Sequence, residues 1–191
     1  LDGLIMPRAI SMVRGGVLIS EPDKLWYCQD TNGDLKCDKK TNVAKYARQG
    51  PVEHTENGLM PALDNWIYNA KSSRRFKFRN GKITESKTQG RGQWGINQDD
   101  YGRLYYTTNS RWLSVDWLTH YNVGRKYSNG PVRTSEIFSI RPNPGINRGY
   151  KSSMLKSDGR LARVTAISGP AALRSDRYGK ALPSGTLFIP E

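Results

Sequence analysis

The chain has 191 residues, of which 36% are hydrophobic and 25% charged, a composition typical of a globular domain and unlike that of a disordered or fibrous chain. The 30 Lys and Arg against 17 Asp and Glu give a formal net charge of +13, so an acidic partner, an anionic membrane surface and nucleic acid must all be considered. Nucleic acid is not favoured, because the basic residues are scattered and no nucleic-acid-binding motif accompanies them. No apolar run approaches the roughly 18 residues of a membrane-spanning helix.

Short β-branched and aromatic runs, bounded by Gly, Asn, Asp and Pro, recur along the chain, while helical periodicity is nearly absent. In chain order, the pattern predicts strands at residues 16–20, 25–28, 66–69, 75–78, 103–107 and 186–189. The 19 Gly and 10 Pro supply the turns between them. The sequence therefore predicts an all-β fold of short strands joined by hairpins.

One motif recurs at a fixed spacing. Gly58 and Gly95, 37 residues apart, lie in similar segments, Gly169 follows 74 residues later, and a degenerate first copy spans residues 6–19. A period of this length with several strands per copy is typical of a β-propeller. We therefore expect residues 1–191 to be one partial β-propeller of about four to five blades, completed by residues or a chain outside this sequence. The alternative is a β-sandwich in which two hairpins match by chance.

Residues 30–38, Asp-Thr-Asn-Gly-Asp-Leu-Lys-Cys-Asp, set oxygen-bearing side chains at alternate positions around a glycine. Ca²⁺ binds about six to eight such oxygens. The predicted metal ligands are Asp30, Asn32, Asp34 and Asp38. The alternative is a turn satisfied by its own backbone, because Thr41 stands where an EF-hand loop has its bidentate Glu.

The two cysteines, Cys28 and Cys37, bracket this turn. If the flanking segments pair as strands, the two sulfurs face each other and can form a disulfide, which indicates an oxidising compartment. Two free thiols are the alternative. The segment contains no C-x-x-C-H run, so we expect no attached c-type haem here.

His54 stands just ahead of one copy of the repeat, next to Glu53 and close to Glu56. A neutral imidazole held by a carboxylate can accept a proton from a hydroxyl, and a purely structural histidine is the alternative. The matching loop, 37 residues later, begins at Arg91 and includes Trp94. Because matching loops of successive blades converge at one end, we expect His54 and Arg91 to face a common pocket. There Arg91 would bind a carboxylate and Trp94 would stack on a planar ring.

A second cationic loop spans residues 141–150, Arg-Pro-Asn-Pro-Gly-Ile-Asn-Arg-Gly-Tyr. Its rigid, polar, glycine-containing composition suits a binding loop that uses Arg141 and Arg148, and an ordinary surface loop is the alternative. The sequence contains no P-loop, no H-E-x-x-H, no G-x-S-x-G and no dinucleotide fingerprint. Nucleotide hydrolysis and the common hydrolase chemistries are therefore excluded.

Three long motifs carry a family resemblance: His-Thr-Glu-Asn-Gly-Leu from residue 54, Arg-Gly-Gln-Trp-Gly-Ile from residue 91, and Ile-Arg-Pro-Asn-Pro-Gly from residue 140. With the segments that follow them, they resemble the propeller of bacterial membrane-bound dehydrogenase-like proteins, which are related to soluble quinoprotein glucose and sorbosone dehydrogenases. The resemblance runs over residues 6–191. It implies an exported protein, periplasmic or secreted, that holds pyrroloquinoline quinone (PQQ), often beside Ca²⁺.

The resemblance also implies roles for individual residues. His54 would be the base that takes a proton from the hydroxyl of a sugar or alcohol while hydride passes to the quinone. The candidate cofactor contacts are Arg91, Gln93, Trp94, Arg141 and Arg148. The positive charge suits an acidic electron acceptor such as a cytochrome c domain. The alternative is a non-catalytic propeller that serves as a binding or assembly module in a larger complex.

Overall fold

The computed structural model describes residues 2–46, 50–80, 82–109, 111–116, 134–136, 157–158 and 167–190. These residues are all-β, as predicted, with fourteen strands and two short 3₁₀ turns at Val52–His54 and Gly179–Ala181. Each of the six predicted strands agrees with an observed strand to within one residue at either end. Neither 3₁₀ turn, nor any other helix of the described residues, has the length and apolar character to cross a membrane.

Three four-stranded antiparallel sheets follow one another along the chain, each with its strands in chain order. The first sheet contains β1 (Ala9–Val13), β2 (Gly16–Ser20), β3 (Lys24–Gln29) and β4 (Lys39–Lys45). The second contains β5 (Asn57–Pro61), β6 (Ile67–Ala70), β7 (Arg74–Arg79) and β8 (Lys82–Lys87). The third contains β9 (Ile96–Gln98), β10 (Leu104–Thr108), β11 (Arg111–Asp116) and β12 (Thr134–Glu136). A two-stranded sheet follows, with β13 (Ala171–Ala172) and β14 (Leu187–Phe188).

The sheets pack face to face in series because successive side chains of a strand point to opposite faces. Ile67 joins the core between the first and second sheets, whereas its neighbour Tyr68 joins the core between the second and third. In the same way, Tyr106 faces the second sheet and Tyr105 faces β14. A strand buried on both faces thus links two cores. This serial packing of three sheets differs from the two-layer sandwich alternative.

The repeat found in the sequence is also a repeat of the structure. The first strands of successive sheets are in contact, β1 with β5, β5 with β9 and β9 with β13. A β carbon added to Gly58 would lie 3.5 Å from Cα of Gly95, and one added to Gly95 would lie 3.6 Å from Cα of Gly169. Gly58 and Gly95 also have left-handed backbones, with φ of 99° and 108°, which favour glycine. The repeated glycine therefore lets the first strands approach closely.

A second repeated feature is the turn after the first strand of a sheet. The hydroxyl of Tyr68 donates to the Asp64 carboxylate at 2.7 Å, and the hydroxyl of Tyr105, 37 residues later, donates to Asp99 at 3.1 Å. Each aspartate also accepts a hydrogen bond from the backbone N–H two residues on, at 3.1 and 2.9 Å. These side-chain bonds fix the turn between the first two strands of the second and third sheets.

The antiparallel order gives the sheets two distinct ends. We call the upper end the one at which β1, β5 and β9 begin. It carries the β2–β3, β6–β7 and β10–β11 turns and the segments that connect one sheet to the next. The opposite, lower end carries the β1–β2 and β3–β4 loops. His54 and Arg91 therefore belong to the upper end, and residues 30–38 belong to the lower end.

Candidate functional site

His54, Gln93 and Trp94 meet at the upper end. The side-chain amide nitrogen of Gln93 lies 3.1 Å from Nδ1 of His54. The rings of His54 and Trp94 lie 5.4 Å apart between centroids and are tilted by 47°. His54 is half-buried and Gln93 is buried. The loops that precede β5 and β9 therefore do bring an imidazole, an amide and an indole together.

Backbone and amide contacts hold this cluster in place. The backbone N–H of Gln93 donates to the Thr107 carbonyl at 2.8 Å, and the Asn57 amide donates to the Gln93 carbonyl at 2.9 Å. The indole N–H of Trp94 donates to Oδ1 of Asn109. Asn57 and Asn109 thus support the site although neither was predicted. Asn57 lies within the first repeat motif, whereas no pattern in the sequence singles out Asn109.

The Gln93 amide sets which ring nitrogen of His54 carries the proton. With its nitrogen toward Nδ1, Gln93 donates to the ring, and its Oε1 accepts a long hydrogen bond, 3.4 Å, from the backbone N–H of Asn109. This orientation leaves the His54 proton on Nε2. In the opposite amide orientation, Oε1 accepts a hydrogen bond from the Nδ1–H of His54, and Nε2 carries a lone pair. Only the second form makes Nε2 a base.

Arg91 does not join this cluster, contrary to the expectation that it faces a pocket shared with His54. Its side chain is 1% exposed, and Nε donates to Oδ2 of Asp116 at 2.6 Å. One terminal nitrogen donates to Thr88 at 2.8 Å, and the guanidinium lies 5.1 Å from the centre of the Tyr68 ring. The backbone of Arg91 forms an isolated parallel β-bridge with Ala70. This bridge directs the Arg91 side chain into the space between the second and third sheets. Arg91 therefore links two sheets.

Asp116 ends β11 and is 3% exposed as a side chain. Burial raises the pKa of this carboxyl above its ordinary value, and Arg91 opposes that rise by attraction and by its hydrogen bond. The Tyr106 hydroxyl donates to the other carboxylate oxygen at 3.1 Å. The ion pair is thus enclosed between two sheets. Each charged group is stable there only because the other neutralises it, since an unpaired buried charge is costly.

Arg8 brings a cation to the upper end that the sequence analysis missed. It precedes β1, and one of its terminal nitrogens donates to the backbone carbonyl of Glu53 at 2.7 Å, next to His54. Its Nε is buried and has no hydrogen-bond partner among the residues that the structure describes. Because the partner of Arg8 is a backbone carbonyl, no side-chain pattern could have revealed the contact.

The four predicted metal ligands lie together in the β3–β4 loop at the lower end, where they accept hydrogen bonds from the loop itself. Asp30 accepts from the backbone N–H of Gly33 at 2.6 Å and of Leu35 at 2.8 Å, and these bonds lower its pKa. Asn32 and Asp34 each accept from the N–H two residues on, and Asp38 accepts from Thr31. No group of three or more His, Cys, Asp or Glu side chains is placed to hold a metal within the described ranges. The loop thus has the hydrogen bonding of a turn satisfied by its own backbone, the alternative to a calcium loop.

Cys28 and Cys37 are free thiols that lie next to each other. Cys28 is buried on β3, and Cys37 is half-buried at the end of the loop. Burial, followed by a hydrogen bond with Cys37, raises the pKa of Cys28 to about 11. The two thiols are therefore adjacent and free, although Cys37 lies in the loop ahead of β4 and the residue that pairs with Cys28 across the strands is Lys40.

Arg141 and Arg148 lie outside the described residues. A family model described as a domain of unknown function matches residues 1–191, the whole chain. Neither the search of curated proteins nor the search of solved structures found a match. The family description names no activity, ligand or partner.

Proposed function

The chain belongs to this family, DUF7133, and we propose that it forms part of a β-propeller. Serial contact of the first strands, with the repeated glycines against one another, supports this proposal. The outer face of the first sheet also supports it, because Ile10 and Met12 are 65% and 75% exposed there. If this chain contributes about four to five blades to a larger ring, a further blade, supplied by other residues or by another chain, would cover that face.

We propose further that the propeller is that of an exported, PQQ-dependent sugar or alcohol dehydrogenase. The observation that carries this proposal is the meeting of His54, Gln93 and Trp94 at one end of the sheets. Periplasmic or secreted localisation is part of it, supported by the adjacent Cys28 and Cys37, which an oxidising compartment would allow to pair. The net charge of +13 suits an acidic electron acceptor such as a cytochrome c domain.

The side chains at the upper end fit a planar, polyanionic quinone. The half-buried Trp94 ring offers a flat apolar surface, and Gln93 and His54 offer polar atoms beside it. Arg8 contributes a guanidinium with a buried, unpartnered Nε, judged among the described residues, which suits a carboxylate. Trp94 and Arg8 would therefore hold the quinone. When bound, it would accept the hydride of the substrate carbon.

His54 would take the proton of the substrate hydroxyl at Nε2. For this the imidazole must carry its other proton on Nδ1, and Gln93 must turn its Oε1 toward that nitrogen. The bonds of the Gln93 backbone to Thr107 and Asn57 fix its main chain beside the ring, and the turned amide would give up only the long 3.4 Å hydrogen bond from the Asn109 N–H. Gln93 would thus act as a positioning residue for the base.

We expect His54→Ala to lower quinone-dependent turnover by about 10²- to 10⁴-fold, the usual contribution of a general base. The measurement is dye reduction by the quinone-loaded protein with a panel of sugars and alcohols. The absorbance of bound quinone and the thermal unfolding curve are the controls, and both should be retained because His54 is half-buried. Undiminished turnover in the variant would show that His54 is not the base.

A non-catalytic propeller, acting as a binding or assembly module, is the second candidate. The observation that favours it is the position of Arg91, which is enclosed with Asp116 and does not reach His54. A module of this kind would neither retain quinone absorbance after incubation with PQQ nor reduce a dye with any substrate. The same loading experiment therefore separates the two functions.

Ca²⁺ binding by Asp30, Asn32, Asp34 and Asp38 stays a prediction. The loop already orders these side chains. Oδ2 of Asp30 and Oδ1 of Asp34 each accept one N–H and retain a further lone pair for an ion, whereas Oδ1 of Asp30 accepts two N–H groups. We expect millimolar calcium to raise the melting temperature of the wild type and to leave that of Asp30→Ala unchanged. Asp176→Ala, which removes an exposed carboxylate from another turn, is the matched control. Identical curves for the wild type with and without calcium would reduce the loop to a plain turn.

A further inference from the structure

A groove of about 470 Å³ opens between the second and third sheets at the upper end. Three segments line it: the β6–β7 turn from Lys71 to Ser73, the connection from Gln89 to Gly92, and part of the β10–β11 hairpin that includes Arg111. The volume lies within the range of about 300–1,000 Å³ that is usual for small-molecule sites. The groove is therefore large enough for a metabolite.

The charge of the groove is of one sign. Three cations line it, Lys71, Arg91 and Arg111, and no Asp or Glu is among the described residues of its wall. Asp116 neutralises Arg91 but does not line the groove. Lys71 and Arg111 are exposed, and neither forms an ion pair with another described residue. Two positive charges without an ion-pair partner in the described part of the chain therefore line this space, together with the hydroxyls of Ser73, Thr108 and Ser114.

Arg91 adds a buried donor. Its Nε and one terminal nitrogen are used by Asp116, Thr88 and the Gln89 carbonyl, but the other terminal nitrogen, Nη2, is buried without a hydrogen-bond partner among the described residues. Buried guanidinium N–H groups without a partner are rare, because they lose water and gain nothing in return. An anion that enters the groove would supply the missing acceptor.

The backbone at Lys71 is also unusual. Its φ is 57°, a left-handed conformation that a residue with a side chain seldom adopts, and its N–H donates to the Gly92 carbonyl at 3.4 Å. Strained residues of this kind cluster at ligand sites. The turn thus holds the lysine against the wall that carries Arg91.

We propose that this groove binds a small organic anion through a phosphate or carboxylate group, with Lys71 and Arg111 at its mouth and Arg91 at its base. The site is distinct from the His54 cluster, although Gly92 of its wall directly precedes Gln93 of that cluster. It does not depend on quinone chemistry. A phosphate binds both cation types through charge-assisted hydrogen bonds, and a carboxylate binds the guanidinium in the same way.

The test is isothermal titration of the whole chain with inorganic phosphate and, separately, with citrate. We expect saturable binding of at least one of them, and its affinity should fall about tenfold or more in Lys71→Gln and in Arg111→Gln, because each removes a charge-assisted hydrogen bond. Lys82→Gln and Arg79→Gln are the matched controls, since these exposed cations lie at the lower end of the second sheet, and each should bind within about twofold of the wild type.

The two probes distinguish the sources of the anion. Tighter binding of phosphate would indicate a phosphorylated ligand, and tighter binding of citrate a carboxylate. Absence of saturable binding for both probes, or an equal loss in all four variants, would overturn the proposal. His54 does not line the groove, so His54→Ala should bind either probe as the wild type does. Loss of quinone-dependent turnover in that variant would therefore not count against the anion site.

Discussion

Asp116→Ala is expected to lower the free energy of unfolding by about 3–5 kcal/mol, because it leaves the Arg91 guanidinium buried without a counter-charge. The two side chains are 1% and 3% exposed, and the Nε–Oδ2 distance is 2.6 Å. Arg91 packs between the second and third sheets, so it cannot turn to water without separating them. The measurement is the urea-unfolding transition followed by tryptophan fluorescence, with an unchanged slope as the condition for comparing free energies.

The chain offers a close control for this prediction. Arg174 and Asp100 form an ion pair of the same residue types at the same Nε–Oδ distance, 2.6 Å, but their side chains are 43% and 55% exposed. We expect Asp100→Ala to cost less than about 1 kcal/mol. If Asp116→Ala does not fold, Asp116→Asn, which retains an acceptor, should fold with a smaller loss. Equal losses in Asp116→Ala and Asp100→Ala would contradict the role assigned to burial.

Gly169→Ala is expected to lower the free energy of unfolding by about 1–3 kcal/mol through overpacking. The added β carbon would lie 2.2 Å from the carbonyl oxygen of Trp94, a backbone atom that cannot rotate away. The chain around Trp94 would have to shift, so we also expect weaker quinone-dependent turnover if the proposed function holds. Urea unfolding and the dye assay measure the two effects.

Gly90→Ala is the matched substitution. Its nearest atom would be the Ser72 carbonyl oxygen at 3.8 Å, an ordinary contact, and neither glycine has a left-handed backbone. Because alanine restricts the unfolded chain, we expect this variant to be neutral or more stable by up to about 1 kcal/mol. A loss in Gly90→Ala as large as that in Gly169→Ala would mean that loss of glycine, and not the close approach to Trp94, is what matters.

The strands that the sequence predicted are those with a strong apolar or aromatic signal, such as β2 and β10. The last strands of the first two sheets, β4 and β8, were not predicted, because exposed strands need few apolar residues and so lack that signal. β8 reads Lys-Ile-Thr-Glu-Ser-Lys and β4 reads Lys-Lys-Thr-Asn-Val-Ala-Lys, and all of their residues are exposed or half-buried. These strands are specified by pairing with β7 and β3, which a local pattern cannot show.

Part of the candidate site was predictable because matching positions of a repeat lie at the same end of neighbouring sheets. The 37-residue spacing predicted that the loop of His54 and the loop of residues 91–94 lie together, and His54 does contact Gln93 and Trp94 of that loop. It could not give the direction of the Arg91 side chain, which Asp116 sets from 25 residues further along the chain. Arg8 could not be predicted for a related reason, since its guanidinium donates to a backbone carbonyl, that of Glu53.

The location of the Asp30 loop limits what an ion there could do. The loop and His54 lie at opposite ends of strands of five to seven residues, each of which advances the chain by about 3.3 Å. A cation in the loop would sit roughly 15–20 Å from the imidazole, beyond the reach of any coordinate bond to a reacting oxygen. It would stabilise the β3–β4 hairpin only. Removal of the substrate proton would then depend on the His54 imidazole without help from a metal in this loop.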